Sequence, residues 1–152
     1  MKKITINDIQ PSHKNIHKDY EYFKYDIIPA GAFSQIKCCV YELPPLKANC
    51  PYHYHTSNEE LFYILKGQGE IRGEKETISI QAGDFISFKT GKDGAHKIYN
   101  TSATDSLLYI DFDSHNDVDV AIYPDSNKVG VWDQNLRKVF KIEDSVDYYE
   151  NE

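Results

Sequence analysis

Alternation of apolar and polar residues with a period of two runs through the middle of this sequence and constrains its fold more than any other feature. Successive residues of a β-strand point to opposite faces of a sheet, so this period predicts half-buried strands. The clearest case is ELFYILKG (60–67), which puts Glu60, Phe62 and Ile64 on one face and Leu61, Tyr63 and Leu65 on the other. No stretch between residues 30 and 112 has sustained helical periodicity.

The same pattern predicts about six to eight short strands, joined by Gly, Pro and Asn turns about every 8–12 residues. They fall at residues 33–43, 60–67, 67–80 (a hairpin that turns near Gly73), 85–88, 95–100 and 106–112. Strands of this number and length are typical of an antiparallel sandwich or barrel. No Pro/Gly/Ser linker or repeat divides the sequence, so we predict one all-β domain over residues 1–152.

Charge is unevenly distributed along the 152 residues. Residues 1–110 hold 13 Lys/Arg and 13 Asp/Glu, whereas residues 111–152 hold 4 Lys/Arg and 11 Asp/Glu and so carry the whole formal charge of -7. We expect this acidic stretch to be solvated surface or a frayed end. A nucleic-acid surface needs clustered Lys/Arg, which the sequence lacks, so we expect no nucleic-acid partner.

Cysteine usage and hydropathy favour a cytoplasmic protein. The sequence has no run of about 18 apolar residues that could span a membrane, and its start, MKKITINDIQPSHKN, lacks the apolar segment of a secretory signal. Cys38, Cys39 and Cys50 are odd in number and two are adjacent, which suits a reducing compartment better than a disulfide framework. We interpret all three cysteines as structural filler.

Four candidate metal ligands fall on predicted strands. His53 and His55 are two residues apart and share a face, Glu60 opens the next strand, and His96 lies on a separate strand. Three neutral imidazoles and one carboxylate suit one divalent ion such as Zn, Mn, Fe, Ni or Cu. Glu59 is the competing acid, but we expect it in the turn, in water, because the apolar residues that follow continue the face of Glu60.

Two stretches resemble the signature motifs of the cupins. HYHTSNEELFYILKG resembles the first motif, H-x-H-x(3,4)-E-x(6)-G, with matches at His53, His55, Glu60 and Gly67. GDFISFKTGKDGAHKIYN resembles the second, G-x(5)-P-x-G-x(2)-H-x(3)-N, with matches at Gly83, Gly91, His96 and Asn100. The resemblance covers roughly residues 35–115.

The resemblance implies a double-stranded β-helix, or jelly-roll barrel, with a core of about residues 33–115. It also implies a metal bound inside the barrel near its mouth by His53, His55, Glu60 and His96, with one or two coordination positions left for water or substrate. YPDSNKVGVW (123–132), within a C-terminal extension of residues 116–152, resembles a segment of small single-domain bacterial cupins sometimes labelled sugar-phosphate isomerase-like. Small cupins are often homodimers, so we expect a homodimer.

Three departures from the motifs stand out. Leu46 and Lys47 occupy the place of a glycine that precedes the histidines, and Lys89 replaces a proline. The turn between Gly91 and His96 is two residues longer than in the motif. None of these changes removes a ligand.

Several residues and one segment keep other interpretations. The sequence of the N-terminal arm, residues 1–32, is compatible with a short helix, with an added edge strand or with a segment that contacts a partner subunit. We expect Asn100 to tie down a turn, Tyr52, Tyr54 and Tyr63 to pack, and His13, His17 and His115 to lie on the surface.

Two functions remain open. One is a metal-dependent enzyme acting on a small oxygen-rich molecule, of the dioxygenase or sugar-phosphate isomerase type. The other is a non-catalytic, metal-dependent protein that binds or senses a small ligand. Isomerisation needs a base, and no second acid in the motif region has an obvious inward position, which counts against that chemistry.

Overall fold

The structure is a computed structural model of the chain and describes residues 3–30, 32–33 and 35–152. Met1, Lys2 and Gly31 of the predicted arm, and Ser34 of the first predicted strand, lie outside the described residues. The described residues form short 3-10 helices at Ile6–Asp8, Lys92–Gly94, Pro124–Ser126 and Ile142–Asp144. Their strands are β1 (Ser12–His17), β2 (Tyr20–Ile28), β3 (Ile36–Leu43), β4 (Tyr54–His55), β5 (Glu60–Lys66), β6 (Gln68–Arg72), β7 (Thr77–Gln81), β8 (Phe85–Phe88), β9 (Lys97–Tyr99), β10 (Leu107–Ser114), β11 (Asp119–Tyr123), β12 (Lys128–Trp132) and β13 (Arg137–Lys141).

These strands pair into antiparallel sheets. One sheet has the order β1-β2-β3-β10-β5-β8, a second β7-β6-β9, and a third β13-β12-β11-β4. The prediction of an all-β fold is confirmed. Within the described residues, no helix has the length and apolar character needed to cross a membrane.

The hydrophobic core lies between the first two sheets. Strands β3, β5, β8 and β10 supply one side of it and β6, β7 and β9 the other, through the buried residues Leu43, Phe62, Ile64, Ile71, Ile80, Phe88, Ile98, Leu107 and Tyr109. The alternation predicted for β5 is confirmed, since Phe62 and Ile64 are buried while Leu61 and Leu65 are exposed. Each of these core strands thus has one face in the core. Polar residues on that face therefore also lie in the interior.

The N-terminal arm is an added pair of edge strands. β1 and β2 form a hairpin, and β2 pairs with β3, with Tyr25 opposite Val40. Of the possibilities that the sequence left open, the structure shows the edge strand, together with a single 3-10 turn at Ile6–Asp8.

The C-terminal extension forms most of the third sheet. β11 pairs with β4, so that Ala121 lies opposite His55. The prediction that the acidic stretch is solvated or frayed is wrong for Asp111, Asp113 and Asp119, which are 6%, 5% and 1% exposed. Strand alternation on β10 and β11 directs these carboxylates inward; the prediction holds for residues 137–152, which are exposed.

The two altered turns fold in different ways. Leu46 has φ 59, a left-handed conformation that favours glycine, at the place where the motif has one. The lengthened turn before His96 accommodates its extra residues as the 3-10 helix Lys92–Gly94.

Candidate metal centre

Backbone pairing fixes the positions of two predicted ligands. The amide of His53 donates to the carbonyl of His96 at 3.1 Å, and the amide of His96 donates back at 2.8 Å. The two residues are therefore directly opposite one another, as in an antiparallel ladder. Strand β4 then carries His55 on the same side as His53, and Glu60 is the first residue of β5.

The four predicted ligands lie close together. Nε2 of His55 lies 3.7 Å from Oε1 of Glu60, and Nε2 of His96 lies 3.3 Å from Oε2 of the same carboxylate. One ligand atom from each of His53, His55 and Glu60 lies within 4.8 Å of the others, so these three could hold a metal ion. The His96 ring centroid is 4.9 Å from that of His53. Glu59, the competing acid, is exposed.

Backbone carbonyls fix the orientation of two of the rings. Nδ1 of His53 lies 3.0 Å from the carbonyl oxygen of Pro51, and Nδ1 of His96 lies 2.9 Å from that of Gly94. A carbonyl only accepts, so each Nδ1 carries the proton and each Nε2 keeps a free lone pair. Nε2 of His96 is buried and has no hydrogen-bond partner, which fits a nitrogen oriented for a metal.

The third ring is oriented by an acid from the C-terminal extension. Nδ1 of His55 bonds to the Asp119 carboxylate, which also accepts the amides of Ser57 at 3.0 Å and Asn58 at 3.3 Å. Burial alone would raise the pKa of Asp119, but the bonds from His55 and the two amides outweigh it and lower that pKa. Asp119 is therefore an anion that holds His55 in place, as carboxylates do for metal-bound histidines.

Burial keeps the imidazoles in the form that binds metals. It lowers the pKa of His96 to about 4 and that of His53 well below 6.5, and neighbouring histidines lower both further. Both rings are therefore neutral at pH 7. Neutral imidazoles beside a carboxylate are a donor set that fits a divalent ion.

A second group of carboxylates adjoins the first. Ligand atoms of Glu60, Asp111 and Asp113 lie within 4.8 Å of one another, and Nζ of Lys37 lies 3.1 Å from Asp113. Burial raises the pKa values of Glu60 and Asp111 well above their usual range, and the neighbouring acids raise them further. One ammonium does not balance three carboxylates, so a divalent cation would offset the remaining charge. The expectation that no second acid faces inward was limited to the motif region, and these two inward aspartates lie beyond it, on β10.

These groups line one cavity of about 700 Å³. The histidines and the two carboxylate groups lie on its wall, together with Cys50, whose Sγ is 3.8 Å from Nδ1 of His53. The N-terminal arm contributes Lys24 and Asp26, and the C-terminal extension contributes Trp132 and Arg137. Segments from outside the predicted barrel core therefore line much of the space in which a ligand could bind.

Other sequence predictions have mixed outcomes. Asn100 ties down a turn as predicted, since its Nδ2 donates to three backbone carbonyls and its Oδ1 accepts from Ser102. The three cysteines are free. His13 and His17 are exposed as predicted, but His115 is half-buried and lines the cavity.

Comparison with known proteins identifies a family domain in the middle of the chain. The cupin domain model matches residues 39–112, and no curated protein sequence matches the chain significantly. Together with the jelly-roll fold shared with solved structures, this match identifies residues 39–112 as a cupin domain.

Three solved structures show the fold. A sugar phosphate isomerase of the cupin superfamily from Silicibacter pomeroyi has a TM-score of 0.84 and 15% identity, covering 98% of each chain. A candidate sugar phosphate isomerase from Acidithiobacillus ferrooxidans has a TM-score of 0.79 and 23% identity, covering 93% of this chain and 91% of its own. A predicted oxalate decarboxylase from Thermotoga maritima has a TM-score of 0.66 and 22% identity, covering 76% of this chain and all of its own.

Proposed function

We propose that this protein is a metal-dependent enzyme that moves a proton within a small hydroxy-carbonyl compound. One divalent ion is held by His53, His55, Glu60 and His96. The observation that carries the proposal is the state of the three rings: each Nδ1 is engaged by an outer acceptor, and the ligand nitrogens and the Glu60 carboxylate lie together in the cavity. A bound ion would polarise a carbonyl or hydroxyl oxygen of the substrate as a Lewis acid.

The inward carboxylates supply the base that isomerisation requires. Asp111 lies beside Glu60 in the cavity, and burial raises its pKa well above the usual range, which brings a carboxyl closer to the pKa of an effective acid–base catalyst near pH 7. In an aldose–ketose type of exchange, one proton moves between adjacent carbons and one between their oxygens. Asp111 would take the carbon-bound proton and return it to the neighbouring carbon.

Two further features support this class over an oxygenase. The Silicibacter and Acidithiobacillus proteins bear the description sugar phosphate isomerase and share the fold along almost the whole chain. In addition, the acids beside the ligand set suit proton transfer with any Lewis-acidic ion, whereas oxygen chemistry requires a redox-active one. We therefore place proton transfer first and oxygenation second.

The first experiment tests the metal site. We expect the purified protein to carry about one divalent ion per chain by elemental analysis, and the double variant His53→Ala/His96→Ala to carry none. His13→Ala, which changes an exposed histidine on β1, is the matched control. Metal retained by the double variant contradicts this ligand set.

The second experiment separates an enzyme from a binding protein. The metal-loaded protein is incubated in D₂O with hydroxy-aldehydes and hydroxy-ketones, and deuterium in substrate and product is followed by NMR. Isomerisation with deuterium exchange supports the enzyme. Protection against melting without any exchange supports the metal-dependent binding protein, and oxygen consumption with diketones supports the oxygenase.

We also propose that the protein works as a homodimer in the cytoplasm. The outer side of the first sheet carries an apolar face that spans β3, β10, β5 and β8, and its members are Ile36, Leu61, Tyr63, Leu65, Phe85 and Phe112. The strand register makes this outer apolar face continuous, since Phe112 lies opposite Leu61 and Tyr63 lies opposite Phe85. Monomers seldom expose a contiguous patch of this kind, and a second copy would cover it.

A further inference from the structure

We propose that Asp111 and Asp113 form a hydroxyl-binding subsite beside the metal ligands, and that the substrate is an unphosphorylated polyhydroxy compound. This inference rests on the proposed function, because it takes the metal to be bound next to the subsite. It departs from the sugar phosphates in the names of the structural neighbours.

The inference starts from two buried carboxylate oxygens that have no hydrogen-bond partner. Oδ1 of Asp111 and Oδ1 of Asp113 are buried and have no hydrogen-bond partner, and both residues line the cavity. Their second oxygens are engaged, that of Asp111 with the thiol of Cys39 at 3.8 Å and that of Asp113 with Lys37 at 3.1 Å. Buried carboxylate oxygens are stabilised by donors, so the free pair calls for a ligand that supplies donors.

The strand register between β10 and β5 places these acceptor oxygens next to the proposed metal ligands. Asp113 lies opposite Glu60 across the β10–β5 ladder, and Asp111 lies opposite Phe62. Ligand atoms of Glu60 and the two aspartates lie within 4.8 Å of one another. Neighbouring hydroxyls of one small molecule can therefore reach a metal-bound position and the two free oxygens together.

The charge around the cavity disfavours a phosphate. Seven carboxylates line it, including Asp26, Asp117 and Asp133, against three cationic side chains, Lys24, Lys37 and Arg137. One divalent ion bound by an ionised Glu60 reduces this excess without reversing its sign. A phosphate ester brings acceptor oxygens and about two further negative charges, so it would face repulsion where a hydroxyl donates.

Two of the three cationic side chains are paired with carboxylates. Nζ of Lys24 lies 2.7 Å from Asp26 and Nζ of Lys37 lies 3.1 Å from Asp113, while the Arg137 guanidinium lies 5.7 Å from the centre of the Trp132 ring. A phosphate site is usually built from free Arg or Lys side chains or from a helix N-terminus. Among the residues described for this cavity, Arg137 is the one cationic side chain without a carboxylate partner.

Paired ligands test the inference. Zinc-loaded protein, with its metal content measured, is titrated with ribose, xylose, fructose and mannose and with the phosphate ester of each, and affinity is taken from the shift in melting temperature. We expect the best free sugar to bind at least about tenfold more tightly than its ester. Erythritol serves as an uncharged probe without a carbonyl group.

Substitutions then separate donor binding from charge. Asp111→Ala and Asp113→Ala remove the acceptors and should weaken sugar binding by about tenfold to a hundredfold. Asp111→Asn keeps one acceptor and removes a charge, so it should bind the sugar better than Asp111→Ala and reduce the discrimination against the ester. Asp144→Asn, at an exposed acid outside the cavity, is the matched control.

The outcomes distinguish this inference from the proposed function. Protein that holds no divalent ion refutes the proposed function and removes the basis of the inference. Protein that holds the ion but prefers the esters, or binds no free sugar or polyol, overturns the inference alone. Equal sugar affinity in Asp111→Ala, Asp113→Ala and the wild type, with metal content unchanged, overturns it as well.

Discussion

Asp119 bonds to Nδ1 of His55 although the two residues are 64 positions apart in the chain. The contact exists because β11 pairs with β4 and brings Ala121 opposite His55. Asp119 is almost fully buried and also accepts two backbone amides. The C-terminal extension therefore fixes the orientation of a predicted ligand that the barrel core supplies.

Substitution of Asp119 should weaken metal binding while leaving the four proposed ligands in place. For Asp119→Ala we expect zinc affinity to fall by about 10–100-fold, because the His55 ring loses the acceptor that fixes its tautomer and its direction. Competition with a chromophoric chelator measures this affinity. Loss of the two capped amides should also lower the melting temperature of the chelated protein.

A conservative variant distinguishes orientation from folding. Asp119→Asn keeps an acceptor for Nδ1, so its zinc affinity should lie between those of the wild type and Asp119→Ala. If Asp119→Ala binds zinc as tightly as the wild type, Asp119 does not orient His55. If Asp119→Ala lowers the melting temperature but not the zinc affinity, the role of Asp119 is purely structural.

The positions of the predicted ligands follow from local rules. His53 and His55 share a face because strand residues two apart point the same way, and Glu60 begins an apolar strand whose face enters the core. These are short-range relationships, so alternation together with the two motifs was enough to predict that the four side chains come together. The same alternation accounts for the buried face that His96, Ile98 and Asn100 share.

The burial of the acids that surround the ligands was not predicted, and the reason is physical. Composition describes residues 111–152 as one acidic stretch. In a strand, however, successive residues point to opposite faces and so differ in burial. On β10, Phe112 is 40% exposed between two buried aspartates, Asp111 and Asp113. The alternation in LLYIDFDS (107–114) contained this information, but the pairing of Asp119 with His55 depends on contacts between distant strands, which no local pattern encodes.

The stability of the metal-free protein should fall as pH rises above 6.5. The pKa values of Glu60 and Asp111 are raised in the folded state, from ordinary values of 4.5 and 3.8, so above those values the folded chain binds more protons than the unfolded chain. Stability then decreases by up to about 1.4 kcal/mol per pH unit for each group still protonated. Below 6.5 the lowered pKa values of His53 and His96 give the opposite slope.

Thermal melting of the chelated and of the zinc-loaded protein measures this pH dependence of stability. The melts cover about pH 6.5 to about pH 9, a span of about two to three pH units. We expect the chelated protein to lose stability with pH and the zinc-loaded protein to lose less, because the ion replaces protons as the counter-charge. Asp111→Asn removes one of the two groups and should flatten the slope of the chelated protein. A chelated wild type that becomes more stable across this range contradicts the prediction.

The outer apolar face should hold the dimer together. Phe85 is 68% exposed and stacks on Tyr63 at a centroid distance of 4.3 Å, so Phe85→Ser should remove apolar area from the interface without opening the core. Light scattering should give twice 17.6 kDa for the wild type and a shift toward 17.6 kDa for the variant. Val146→Ser, at a 71% exposed residue in the C-terminal extension, is the control and should leave the mass unchanged. A wild type that is monomeric at working concentration excludes this dimer.

Gly94 should be the least replaceable glycine of the lengthened turn. A methyl group on Gly94 would overlap the carbonyl oxygen of Lys89, which is backbone and cannot rotate away, and the carbonyl of Gly94 accepts the bond from His96. Gly94→Ala should therefore lower both stability, by about 2 kcal/mol or more, and zinc affinity. Gly91→Ala is the matched comparison, because Gly91 has φ 80 and ψ -177 with open space around it, so the cost there is that of the backbone conformation alone, about 1–3 kcal/mol. Since one kcal/mol corresponds to about 2–4 °C in melting temperature for a chain of this size, thermal melts can resolve the difference. Equal losses of stability and zinc affinity in the two variants would mean that the turn shifts freely around Lys89 and does not position His96.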